Sequence, residues 1–64
     1  MKAIEIIKIG SKLLEESKIP SHILDTELIL SKTLNKSREE ILINLEQQIN
    51  NKSVSVFNKY VERR

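Results

Sequence analysis

The chain has 64 residues, of which eleven are lysine or arginine and nine are aspartate or glutamate, and its formal net charge is +2 at pH 7. This length supports a single domain over residues 1–64, and the lack of cysteine excludes disulfides and thiolate metal sites. One glycine, one proline and two aromatic residues are too few turn and strand formers for an all-β fold, so we expect an all-α domain.

The first predicted helix runs from Lys2 or Ala3 to Ser17. Its apolar side consists of residues at helical spacing, namely Ile6, Ile7, Ile9, Gly10, Leu13 and Leu14. Gly10 costs about 1 kcal/mol relative to alanine in a helix interior. We therefore expect another helix to approach closely at this position.

A second helix is predicted from its N-cap, Ser21, to a break at Asn35. Lys18, Ile19 and Pro20 end the first helix, because proline disfavours helical geometry in the residue before it. The link between the first two helices is therefore short, which favours a roughly antiparallel arrangement. The apolar stripe of the second helix is Ile23, Leu24, Leu28, Leu30 and Leu34. Ile29 lies off this stripe, so we expect a central helix with two neighbours. His22 has no partner at a catalytic or metal-binding spacing and is predicted to be a solvated surface residue.

Two further helices follow. Ser37 and Glu40 form a capping box for a short third helix, whose apolar face is Ile41, Leu42 and Leu45. Asn50 is the predicted N-cap of the last helix. Its buried stripe is Val54, Phe57 and Val61. Serine and valine near its start leave an extended beginning open. The expected fold is an all-α bundle of four or five short helices.

No group of residues in the sequence has the spacing of a reaction centre. There is no cysteine nucleophile, no Ser-His-acid spacing and no glycine-rich nucleotide loop. Asp25 and Glu27 are two residues apart and point about 200° apart around a helix, so they do not flank one bond. We predict no catalytic, cofactor-binding or metal-ligating residue. The residues alone indicate a bundle that binds or positions a partner.

A series of positions from Ile19 onward carries a family resemblance. Asp25, Thr26 and Glu27 precede a leucine-rich run. Downstream positions that follow in register without gaps are Lys36, Arg38, Ile49, Asn50, Phe57, Arg63 and Arg64. The arrangement resembles the N-terminal helical domain of the release factor glutamine methyltransferases, the HemK/PrmC family, in which Asp-Ala-Glu precedes the run. Threonine is a small departure, and the first helix fits only as a pattern.

The resemblance implies a longer parent enzyme. In that family the arginine pair is followed by a linker and a Rossmann-like catalytic domain that binds S-adenosylmethionine and methylates the glutamine of the Gly-Gly-Gln loop in a peptide chain release factor. The chain stops where that linker should begin, and it is expected to hold no cofactor and to have no activity alone. Its expected partners are the release factor and its own catalytic domain.

Two pairs of basic residues are candidates for the release factor contact. They are Lys36 with Arg38 beside the second interhelix turn, and Lys59 with Arg63 on the last helix. For each pair, the competing interpretation is that the basic side chains contact only solvent.

Two other functions are also compatible with the sequence. The first alternative is a free-standing helical adaptor or a helix-turn-helix nucleic-acid-binding module, although Glu39 and Glu40 in the third helix would repel phosphates. The second is a self-associating bundle. We expect a cytoplasmic protein, because the chain lacks cysteine and a signal peptide pattern, with no membrane partner and no nucleic acid partner.

Overall fold

The computed structural model describes residues 1–63, which form four α-helices. Their bounds are Ala3–Glu16 (α1), His22–Leu34 (α2), Arg38–Leu42 (α3) and Asn51–Glu62 (α4). Within residues 1–63, strand-like pairing is limited to an isolated antiparallel bridge between Lys2 and Gln48. The predicted small all-α bundle is therefore confirmed. No helix in this part of the chain is long and apolar enough to cross a membrane.

The core draws on all four helices and on the link before α4. Its buried apolar residues are Ala3, Ile6, Ile7, Leu14, Leu30, Ile41, Ile49, Phe57 and Val61. At Gly10 an added Cβ would lie 2.7 Å from Phe57 Cζ and 2.9 Å from Thr26 Cγ2. Both α2 and α4 thus approach α1 closely at this glycine, as the sequence predicts. Thr26 is fully buried, and its hydroxyl donates to the His22 carbonyl at 2.6 Å.

Helix α2 is central, because it packs against each of the other three helices. The apolar stripe predicted for it is right only in part. Leu30 is buried and Leu34 packs against the core, as predicted. Ile23, Leu24 and Leu28 are exposed instead, and the buried residue beside Leu30 on this helix is Thr26. The close approach at Gly10 explains this orientation, since a small threonine fits against α1 where a leucine would clash.

The same correction applies to parts of α1 and α3. Ile9 and Leu13, predicted to be buried, are 48% and 45% exposed. The side of α1 that meets the core consists of Ala3, Ile6, Ile7, Gly10 and Leu14. Leu42 is also exposed, and α3 buries Ile41 alone.

Helices α1 and α2 end in the same hydrogen-bonded motif. After α1, Lys18 adopts a left-handed conformation with φ 62°, and its N–H donates to Glu15 O at 2.9 Å. The next N–H, of Ile19, reaches back to Leu14 O at 3.1 Å, and Ile19 packs against the core. These bonds define a Schellman motif. At the end of α2, Asn35 takes the left-handed position with φ 56°, which confirms the predicted break.

Two of the three predicted N-caps are formed. The Ser37 hydroxyl accepts from Glu40 N–H at 3.2 Å, and the Glu40 carboxylate accepts from Ser37 N–H at 3.1 Å. Asn50 Oδ1 accepts from Ser53 N–H at 2.8 Å, and α4 is helical from its first residue, so an extended start is wrong. Ser21 occupies the N-cap position of α2 but makes no capping bond with its side chain.

The link between α3 and α4 is bound to the start of α1. The amides of Ala3 and Ile4 donate to Gln47 O and Leu45 O, both at 3.0 Å. These two N–H groups belong to the first turn of α1, where a helix has no internal acceptors for them. The link therefore completes the hydrogen bonding of α1.

Candidate functional site

Arg38 is engaged within the fold. Its Nε and Nη2 atoms donate to Glu27 Oε1 at 3.1 and 2.9 Å, and the Glu27 side chain is only 14% exposed. This ion pair holds the first residue of α3 against α2. Lys36 Nζ lies 3.3 Å from Gln47 Oε1, a long and exposed hydrogen bond. A partner that bound Arg38 would have to compete with a partly buried carboxylate.

Lys59 lies in the last turn of α4 and Arg63 is the C-cap residue of the same helix, one turn further along, and both are exposed. Within residues 1–63 neither side chain has an ion pair or a hydrogen bond. The opposite side of α4 is fixed in the core by Phe57 and Val61. The pair is thus presented on a helix whose position is set by packing. Arg64, which belongs to the arginine pair of the resemblance, lies outside the described residues.

Lys52 extends this exposed surface toward the start of α4. At 100° per residue, Lys52, Val56, Lys59 and Arg63 fall within about 60° of one another around the helix axis. The three cations are exposed and Val56 is half-buried. We refer to Lys52, Lys59 and Arg63 as the basic ridge.

The sequence predicted that His22 would be a solvated surface residue. The structure shows instead that its side chain contacts α1 from the first residue of α2. Its Nδ1 lies 2.8 Å from Ser11 Oγ, and its Nε2 lies 3.5 Å from Glu15 Oε2. The imidazole side chain is 23% exposed. With the proton on Nε2, the serine hydroxyl donates to Nδ1, and the Nε2–H group lies on the side of the Glu15 carboxylate.

The structure thus brings together a serine, a histidine and an acid that their sequence spacing does not associate. The available sequence signal was that Ser11 and Glu15, four residues apart, share one side of α1. A nucleophilic serine also requires N–H donors directed at a developing oxyanion. Ser11 lies in the interior of α1, where the surrounding backbone N–H groups are used by the helix. We assign the cluster to holding α1 against α2.

Large apolar side chains remain exposed on several sides of the bundle. They are Met1, Ile9, Leu13, Ile23, Leu24, Leu28, Leu42 and Ile43. Met1 and Ile9 line a groove between α1 and α4, and Leu13 lines a second groove farther along the same two helices. Among the residues that the structure describes, no cluster of histidine, cysteine, aspartate or glutamate could hold a metal ion.

Comparison with known proteins bears on the identity of this bundle. A family model described as the PrmC N-terminal domain matches residues 5–64. The match includes most of α1, which the sequence resemblance covered only as a pattern, and it confirms that resemblance. No curated protein matches the chain, and no solved structure matches it.

Proposed function

The chain belongs to the PrmC N-terminal domain family, and from this membership we propose that it recruits a peptide chain release factor to the catalytic domain of a release factor glutamine methyltransferase. The observation that carries the proposal is the family match over residues 5–64. In the parent enzyme, a separate domain would bind S-adenosylmethionine and transfer its methyl group to the glutamine of the Gly-Gly-Gln loop. The present domain would bind the same substrate away from the reacting atoms.

Such remote binding has a defined energetic use. Contacts far from the reacting atoms help to orient the substrate and offset the entropy lost when the glutamine is held beside the methyl donor. They need a rigid surface and no chemical group of their own. The buried core and the hydrogen-bonded link between α3 and α4 support this role, because they fix all four helices relative to one another.

Of the two candidate contact pairs, the one on α4 fits the role better. Lys59 and Arg63 are exposed, and no acidic side chain among residues 1–63 forms an ion pair with them. Arg38 already pairs with Glu27. The helix-turn-helix alternative is less well supported, because α3 has only five residues and two glutamates lie in its first turn.

A binding titration tests the proposal. We expect the chain to bind a purified bacterial release factor saturably, as measured by isothermal titration calorimetry. The Lys59→Glu/Arg63→Glu variant should bind more weakly, and the Lys36→Glu/Arg38→Glu variant reports on the other pair. Circular dichroism establishes that each chain is folded. Failure of the folded wild-type chain to bind would contradict the recruiting role.

A further inference from the structure

The basic ridge places three of the eleven basic residues of the chain on one side of α4. The rest of the chain carries eight basic and nine acidic residues and is close to neutral. Glu62, the one acidic residue of α4, lies toward α1, where it lines a groove with Leu13.

The ridge has an apolar centre and a fourth cation at its side. Val56 lies between Lys52 and Lys59 along the stripe and is half-buried. On the α2 side, Lys32 Nζ lies 5.9 Å from the centroid of the Tyr60 ring. Helical rise makes the ridge about 16 Å long from its first to its last cation. A surface of this length, with charge around a small apolar contact, matches two to three turns of a partner helix.

From these observations we propose that the basic ridge of α4 docks an acidic helical segment of the protein substrate. The inference rests on the proposed function, because it takes the recruited release factor as the protein that carries the segment. The ridge cations are four and seven residues apart. Carboxylates at the same spacings on one side of a partner helix can face all three cations at once.

The charge distribution favours an acidic protein segment over a nucleic acid. A duplex presents a long and uniform row of phosphates, and affinity for it grows with the number of phosphates neutralised. Three cations neutralise few phosphates, and the rest of the chain, with eight basic and nine acidic residues, adds no net positive charge. A short acidic helix meets only the ridge.

The test uses two double variants with the same change in charge. Lys59→Glu/Arg63→Glu reverses the ridge. Lys8→Glu/Lys12→Glu is the matched control, because these lysines are also exposed, also four residues apart and without an ion pair among the described residues. Circular dichroism verifies folding, and Lys59→Gln/Arg63→Gln serves as a milder ridge variant.

The first arm titrates the ¹⁵N-labelled chain with a synthetic helical peptide whose glutamates have the spacings of the ridge, and with its glutamine counterpart. We expect saturable chemical-shift changes on α4 and at Lys32, and roughly tenfold weaker binding by the ridge variant, from the loss of several exposed charge pairs. The Lys8→Glu/Lys12→Glu control should bind within about twofold of wild type. Equal binding of the glutamine peptide would overturn the inference.

The second arm repeats the comparison with the purified release factor. Selective weakening by the ridge variant would support the inference. Equal binding by wild type and the ridge variant would contradict docking at the basic ridge but would remain consistent with the recruiting role. If the release factor does not bind while the glutamate peptide still maps to α4, the recruiting role fails and the acidic-segment surface is supported. Tighter binding of a short RNA or DNA duplex than of the peptide, again lost in the ridge variant, would overturn the choice of a protein partner.

Discussion

At the scale of single residues, Gly10 sets how closely three helices approach one another. Its missing side chain leaves room for the ring of Phe57 and the methyl group of Thr26. The helix interior would favour alanine at this position by about 1 kcal/mol. The retained glycine therefore indicates that close packing outweighs helix propensity here.

We predict that Gly10→Ala destabilises the domain by about 1 kcal/mol, because overpacking costs about 1–3 kcal/mol and exceeds the gain in propensity. Urea unfolding followed by circular dichroism measures the change. In a Phe57→Leu background, which removes the ring atom 2.7 Å from the new Cβ, the cost of the alanine should be smaller, because only the contact with Thr26 Cγ2 at 2.9 Å remains below 3.0 Å. A more stable Gly10→Ala single variant would contradict this account of the packing.

Arg38 gives a second residue-scale prediction. Arg38→Met should destabilise the domain by about 1–2 kcal/mol, because it leaves the largely buried Glu27 carboxylate without its charged donor. Arg63→Met is the matched control and should change stability by less than about 0.5 kcal/mol, since Arg63 is exposed. Thermal unfolding compares the two variants. Equal effects would mean that the Arg38–Glu27 pair does not hold α3 in place.

At the scale of elements, the helix ends follow local rules with one departure. Asn35 occupies its left-handed position at the end of α2 as asparagine commonly does. Lys18 occupies the equivalent position after α1, although a left-handed backbone costs a residue with a Cβ roughly 1–2 kcal/mol. The hydrogen bonds of the Schellman motif and the burial of Ile19 keep it there.

Lys18→Gly should therefore stabilise the domain, by about 0.5–1 kcal/mol, because relief of the left-handed backbone exceeds the added entropy of glycine in the unfolded chain. Lys12→Gly, in the interior of α1, should destabilise it by about 1 kcal/mol. Chemical unfolding of both variants measures the difference in sign. Destabilisation by both would refute the assignment of strain to Lys18.

The same elements show what the sequence could and could not predict. Helix bounds and the caps at Asn35, Ser37 and Asn50 were predictable, because each depends on residues within one turn. The buried side of α2 was not predictable from hydrophobicity, since the approach at Gly10 turned Thr26 inward and Leu24 outward. Hydrophobicity alone could not tell which side of α2 is buried, and the tertiary packing determined it.

For the candidate site, the exposure of Lys59 and Arg63 was predictable, whereas the ion pair between Arg38 and Glu27 was not. Phe57 and Val61 at helical spacing set the buried side of α4, which leaves Lys59 and Arg63 on the other. The partner of Arg38 lies eleven residues away on another helix. Contacts of this kind depend on how helices are arranged, so no local pattern reveals them.

At the scale of the whole molecule, the bundle combines a small core with a surface of unequal character. Among residues 1–63, nine buried apolar residues hold the four helices together, while eight large apolar side chains stay exposed. The basic ridge lies on α4 and its C-cap residue, and two apolar grooves run between α1 and α4. The basic ridge and the apolar grooves therefore lie on different sides of α4.

The bonds between the start of α1 and the link before α4 also bear on how the chain folds during synthesis. They join positions more than forty residues apart, as between Ala3 and Gln47 or Lys2 and Glu46. The first turn of α1 leaves the ribosome long before the carbonyl groups that accept its hydrogen bonds. Closure of a loop this long costs entropy before any contact offsets it. We therefore expect the first turn of α1 to be fixed in place only after the link emerges, so that the complete domain forms as one cooperative unit.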